Sequence, residues 1–235
     1  MSALRTSRLS RRLFRASSIT VEVTIFGRGG HGARPQTTVD PIVIAARSIL
    51  GIRSIVSRET DPFSPTAITI GSIHGRTTGN IIPDEVKMSM TVRGSDAKVR
   101  DHALASIKRH LDAEATAVDA PSLPAMTVLA GVEAVYNNPE LTARLVAALR
   151  RDLGPESVRE MNAKMSAEDF AAYGHAGVRA VLVHIGAVNP SALASGQRLP
   201  DLHSPLWVPG LEPAPRSLVV SEVVMLTDLL GAPRP

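Results

Sequence analysis

Residues 18–26, SITVEVTIF, alternate apolar and polar side chains with period two, and the next regular stretch changes period. In TVDPIVIAARSILGIRSIVSR (38–58), Ile42, Ala45, Ile49, Ile52 and Val56 recur at spacings of three and four. The first pattern suits a half-buried strand and the second an amphipathic helix. Thr38 or Asp40 is placed to cap that helix and Pro41 to open it. Two further strand-like runs follow, TAITIGSIHG (66–75) and EVKMSMTVRG (85–94), joined by the turn-rich RTTGNIIPD. SDAKVRDHALASIKRHLDAEA (95–115) begins with the cap-like Ser95 and Asp96 and carries one face of Val99, Ala103, Ile107, His110 and Leu111. PAMTVLAGVEAV (124–135) supplies a fourth strand. The order β-α-β-β-α-β predicts an α/β (α+β) fold: a ferredoxin-like layer of two helices on a four-stranded antiparallel sheet. That architecture hosts many activities and fixes none of them.

Beyond residue 135 the texture changes. NPELTARLVAALRRDLG (138–154) reads as a helix ending at Gly154, and VRAVLVHIGA (178–187) as an apolar strand covered on both faces. PAPRSLVVSEVVMLTDLLG (213–231) reads as a closing helix, its pattern carried by Leu218, Val219, Glu222, Val223, Leu226 and Leu230. One strand with two or three helices is an incomplete α/β segment. The expected domains are therefore 19–135 and 136–235, preceded by a basic leader over 1–18.

That leader holds five arginines and no acid, so it accounts for the net charge of +4. Without those five of the 26 basic residues, 21 remain against 22 acidic ones. Its Arg- and Ser-rich composition predicts a disordered tail, with an organelle transit peptide the weaker reading. Basic charge confined to one tail, without interleaved aromatics, argues against nucleic acid as a partner. No apolar run approaches the ~18 residues of a membrane span, so a membrane partner is not expected and a cytoplasmic protein is. The absence of cysteine removes disulfides, thiolate metal sites and thiol nucleophiles from these 235 residues.

The candidate chemistry starts in FGRGGHGARP. Gly27, Gly29 and Gly32 satisfy G-x-G-x-x-G formally, yet Pro35 and Pro41 delay the helix that a dinucleotide loop must open directly. What remains is a loop that lets the backbone turn sharply while His31 projects from it. Asn80 lies between the middle strands and Arg93 near the end of the third. His31, Asn80 and Arg93 are the side-chain types that hold a carboxylate and stabilise an oxyanion, whereas His31 alone reads as a residue of a solvated turn. His203, in PDLHSPLW, sits on a proline-flanked loop suited to a metal ligand, although one imidazole makes no metal site. Glu168 and Asp169 in MSAEDF add an acidic pair, the plainer alternative being a helix N-cap. His74, His102, His110, His175 and His184 show no ligand spacing and read as surface or satisfied histidines.

Taken in order, GRGGHGARP, TVDPI, TIGSIHGRTTGNIIPDEV, SAEDF and LHSP resemble the metal-dependent amidohydrolase family of hippurate hydrolases, auxin-conjugate hydrolases and N-acetyl-diaminopimelate deacetylases. The resemblance implies a dimerisation or lid domain over 19–135 and the C-terminal part of a catalytic domain over 136–235. It implies that His31 reaches into a partner subunit's site to polarise a scissile amide carbonyl, that Asn80 and Arg93 hold the substrate carboxylate, and that His203 is the last metal ligand. The implied cofactor is a divalent metal (zinc, manganese or nickel), its retention by this chain being left open. The implied partners are a second copy of the chain and a small N-acyl amino acid or other carboxylate.

The family's leading motifs, a metal-binding His motif, Cys-Gly-His-Asp and Glu-Glu, do not occur here. Gln36 stands where the family commonly has histidine, and LWVPGLEP lacks the acidic continuation after His203. A glutamate base that activates water is thus not among these residues. The expectation is a fragment of an amidohydrolase, inactive alone. The alternatives are a non-catalytic dimerising remnant and a carboxylate-binding module.

Overall fold

The computed structural model describes residues 7–9, 13–76, 78–201 and 204–231. The chain divides into two compact units. Among the described residues, one comprises Arg15–Val135 together with Lys164–Ala172; the other gathers Tyr136–Ala163 with the described residues from Tyr173 onward and those before Arg15.

In the first unit, β1 (Ser17–Phe26), β2 (Gly30–His31), α1 (Pro41–Ser54), β3 (Thr66–His74), β4 (Ile81–Ile82), β5 (Glu85–Gly94), α2 (Ala97–Thr116) and β6 (Ala125–Val128) follow one another. The main sheet is antiparallel with order β3-β5-β1-β6, and β1 pairs β5 without interruption from Ser17↔Gly94 to Phe26↔Glu85. The β3–β5 register shifts between Ile70 and Ser72, so Gly71 sits in a bulge. The period-two reading is borne out: Ile19, Val21, Val23 and Ile25 are buried with Val86, Met88, Met90 and Val92 against Ile44, Ala45 and Ile52 of α1 and Ala103, Ile107 and Leu111 of α2. Removing this apolar surface from water is the main drive for the layer. Asp40 caps α1 by accepting from Ile42 N at 2.9 Å, and Asp96 caps α2 by accepting from Val99 N at 3.0 Å. Past Ser54 the helix widens into a π-type turn over Ile55–Glu59. Gly51 of α1 packs on the His110 ring of α2: a Cβ added there would lie 2.7 Å from His110 Nδ1. Glu59 receives His110 Nε2 at 3.0 Å and Arg109 Nη2, and its backbone oxygen accepts from His102 Nε2 at 3.1 Å. The bonds from Arg109 and then His110 to the ionised side chain hold the Glu59 carboxyl down at about 2.

The segment Lys164–Ala172 is tied to this layer. Ala16 N donates to Lys164 O at 3.0 Å, Arg15 Nη1 to Ser166 Oγ, and Arg93 Nη1 to Met165 O at 2.7 Å.

In the second unit, α3 (Pro139–Leu153) is capped by Asn138, which accepts from Leu141 N at 2.9 Å, and ends at Gly154 with φ 93°. It packs against α4 (Pro213–Leu230), and Arg144 and Arg151 both reach Asp228 on that helix. Residues 7–9 run parallel to Val158–Glu160. Two expectations fail here. The predicted apolar face of α4 is exposed: Val219, Val223, Leu226 and Leu230 are 54–83% accessible, while Ala214, Ser217 and Ser221 are buried. Small residues, flanked by the half-buried Val224 and Met225, form the inward face, and these four large aliphatics point outward. Residues 178–187 form no regular strand; their backbone is held instead by Asn137, whose Nδ2 donates to Leu182 O at 3.0 Å and whose Oδ1 accepts from Leu182 N at 2.8 Å. A side-chain amide here does the work of one rung of a ladder, beside a backbone bond from Asn138 N to Ala180 O at 3.0 Å. Among the described residues, no helix is long and apolar enough to cross a membrane.

Candidate functional site

The stretch after β1 is a loop folded onto the β4 segment. Arg28 and Val39 close its base through two backbone bonds, Arg28 N to Val39 O at 2.8 Å and Val39 N to Arg28 O at 3.0 Å. A short 3₁₀ turn over Pro35–Thr37 leads back toward α1, its exit held by Thr37 Oγ1 on Arg34 O and Thr38 Oγ1 on Pro35 O. The other side of the loop is bonded to residues 80–84. Gly27 N donates to Asp84 O at 2.7 Å, Gly29 N to Asp84 Oδ1 at 2.9 Å and Gly32 N to Asn80 O at 2.9 Å, while β2 pairs β4 as Gly30↔Ile82 and His31↔Ile81.

The glycines serve this close approach and not the expected sharp turn: Gly27, Gly29, Gly30 and Gly32 are not among the residues with positive φ. A Cβ at Gly27 would lie 2.4 Å from Val39 O, at Gly29 2.7 Å from Asp84 Oδ1, and at Gly30 2.7 Å from Thr38 Cγ2. Contacts this short cannot be accommodated by a close-packed chain without displacement.

His31 and Asn80 are both exposed and are brought together by this pairing. Arg93 is not with them. It lies eight residues along β5 from Glu85, which at ~3.4 Å per residue is about 27 Å toward the other end of the sheet. It stands opposite Ser18 in the register and donates to Met165 O. His203 lies outside the described residues. Glu168 and Asp169 start a helical turn through their backbone oxygens, which accept from Ala171 N at 3.4 Å and Ala172 N at 2.9 Å. His110 and His102 are engaged by Glu59, and His184 sits edge-on to Phe14 with ring centroids 4.8 Å apart, so these three are satisfied histidines.

Sequence reasoning passed over Asp84 and Ala33. Ala33 N donates to His31 Nδ1 at 3.0 Å and Asp84 clamps Gly29. The run of glycines opposite an Asp at the end of GNIIPD is the only sequence signal for either contact. Among the described residues, no three His, Cys, Asp or Glu side chains converge as a metal site would require, so these side chains do not by themselves fit the divalent metal implied by the resemblance.

Residues 15–119 match the peptidase dimerisation domain of the M20 type. The chain is 34% identical over 166 residues to an N-acetyldiaminopimelate deacetylase of Leuconostoc mesenteroides, covering 70% of this chain and 42% of that protein. It is 33% identical over 157 residues to a hippurate hydrolase of Campylobacter jejuni, covering 66% and 40%. Among solved structures, the Bacillus subtilis YxeP protein, a dinuclear metal-binding peptidase of the M20 family, superposes with a TM-score of 0.72 at 18% identity. That match takes in 97% of this chain and 53% of YxeP, and it speaks for the fold. The chain thus spans less than half the length of these two curated relatives.

Proposed function

We propose that this chain, whose residues 15–119 match a peptidase dimerisation domain of the M20 type, supplies the lid and the C-terminal catalytic segment of a metal-dependent amidohydrolase acting on N-acyl amino acids. The names of the relatives support the substrate class, since N-acetyldiaminopimelate and hippurate are both N-acylated amino acids.

The observation that carries the reading is the division of the predicted site. His31 and Asn80 are bonded into one end of the sheet and Arg93 stands about 27 Å away along β5. Three groups that must meet one small substrate cannot do so within a single lid. In a two-fold dimer, His31 and Asn80 of one subunit meet a ligand held by Arg93 of the other. There the guanidinium pairs with the substrate carboxylate in a charge-assisted bond, Asn80 adds a neutral hydrogen bond, and the His31 imidazole donates to the amide carbonyl oxygen as negative charge develops on it. The water-activating base and most metal ligands belong to polypeptide outside these 235 residues. His203 is the one metal ligand this chain is proposed to offer.

The test is made on the purified chain with added zinc, manganese or nickel. The expected result is a dimer by analytical ultracentrifugation, saturable binding of hippurate that is lost in Arg93→Ala, and no release of glycine. Release of glycine that disappears in His203→Ala would overturn the proposed inactivity. A monomer that still binds hippurate would overturn the shared site.

A further inference from the structure

The glycine loop does more than bring His31 to the surface. Its amides at Gly27, Gly29 and Gly32, and the β2–β4 pairing, all terminate on residues 80–84, and one side chain takes part in that set, Asp84. The Asp84 backbone oxygen accepts from Gly27 N and its carboxylate Oδ1 from Gly29 N, so one residue grips two alternate amides just before the histidine. An anionic acceptor makes the stronger bond to a peptide N–H. On the far side of the histidine, Ala33 N points at His31 Nδ1 at 3.0 Å, and Arg34 N donates to His31 O at 2.8 Å. A ring nitrogen that accepts a hydrogen bond carries no proton. The neutral ring therefore holds its single proton on Nε2.

We propose that Asp84 is a positioning residue for His31, clamping the Gly27–Gly32 loop so that Ala33 fixes the imidazole as the Nε2–H tautomer and His31 is presented as a hydrogen-bond donor. Such a ring donates to an oxygen and takes no proton through Nδ1. It suits a carbonyl or carboxylate oxygen as ligand and is wrongly set for a nucleophile-activating base. The tautomer belongs to this chain alone; that the oxygen it meets is an amide carbonyl rests on the function proposed above.

The experiment uses ¹⁵N-histidine-labelled full chain and two-bond ¹H–¹⁵N correlation at about pH 8, above the ordinary range of imidazole titration. His31→Gln identifies the signals by their disappearance. Wild type is expected to show His31 as a single tautomer, with Nδ1 unprotonated and Nε2 protonated. Asp84→Ala is expected to lose that signature, both nitrogens moving to the averaged values of a histidine in an unfolded peptide. Asp84→Asn keeps an oxygen acceptor for Gly29 and is expected to retain it. Gly29→Ala, whose Cβ would sit 2.7 Å from Asp84 Oδ1, is expected to lose it as Asp84→Ala does, and serves if the latter does not fold. Averaged nitrogens or an Nδ1–H ring in wild type would overturn the proposal, as would an unchanged signature in Asp84→Ala and Gly29→Ala. No substrate or metal enters the measurement, so a failure of the hydrolase reading leaves this outcome intact.

Discussion

Gly51→Ala sets two effects of known size against each other. In a helix interior, alanine is favoured over glycine by about 1 kcal/mol, and on that ground the substitution would stabilise α1. The new Cβ, however, would lie 2.7 Å from His110 Nδ1, 3.3 Å from its Cγ and 3.4 Å from its Cε1. To reach ordinary contact the ring must retreat by roughly 0.7 Å, and its other nitrogen is held 3.0 Å from Glu59 Oε1. That retreat stretches the bond beyond useful length. Overpacking typically costs about 1–3 kcal/mol, and losing the hydrogen bond about 1 kcal/mol more. Clash and lost bond together outweigh propensity, giving a net destabilisation of about 2 kcal/mol. In a His110→Ala background the obstacle is gone and the same substitution should stabilise by about 1 kcal/mol. The sign of the effect thus reverses, with a coupling of about 3 kcal/mol across the cycle. Urea unfolding followed by far-ultraviolet circular dichroism on the four proteins measures it. A Gly51→Ala protein more stable than wild type, or effects that simply add, would refute the account of this helix contact.

Three further outcomes are expected. Glu59 is held at about 2 in the folded chain against 4.5 ordinarily, so its contribution is complete above pH 4.5 and is lost as the pH falls toward 2. With its side chain 24% exposed, Glu59→Gln should cost about 1 kcal/mol at pH 6 and much less at pH 2.5; equal losses at both would contradict the assigned bonds. Asn137→Ala removes both bonds to the Leu182 backbone from a residue that is 2% exposed, and should lower stability by about 2–3 kcal/mol in the same assay, with a loss under 1 kcal/mol speaking against the ladder-like role. Mixing equal amounts of His31→Ala and Arg93→Ala chains should restore hippurate binding that neither homodimer shows, at about a quarter of the wild-type sites, because about half the dimers are mixed and each of those keeps one intact pair; no recovery in calorimetry would sink the shared site.

The sheet and helices of the first unit were legible because burial there is one-sided. Strands such as Ile19–Ile25 alternate, and Asp40 and Asp96 stand where the helix periodicity begins. The second unit was read less well for a physical reason. Periodicity in α4 marks an apolar stripe without saying whether it is covered, and the helix seats its small side, Ser217 and Ser221, instead. Likewise VRAVLVHIGA has the composition of a strand, but a strand is a pairing and not a property of one segment. Of the candidate site, His31, Asn80 and Arg93 were grouped by side-chain chemistry alone, and the strand pairing brings only His31 and Asn80 to one sheet end. Arg93 was named without any sign of its distance, since residue spacing along a strand becomes length only when the strand's extent is known. The glycines were recognised as special both for a sharp turn and for close approach, and only the second holds: a one-letter string shows that a side chain is missing, not whether backbone angle or crowding demands it.

The return of Lys164–Ala172 to the first unit has a consequence for anyone who would transplant this layer. The layer is not one contiguous stretch of sequence, and an excised piece ending at Val135 would lack three acceptors. Ala16 N, the Arg15 guanidinium and Arg93 Nη1 would then turn from Lys164 O, Ser166 Oγ and Met165 O to solvent. As a modular part, the unit is two spliced pieces, and a graft that carries only the longer one leaves its anchoring groups behind.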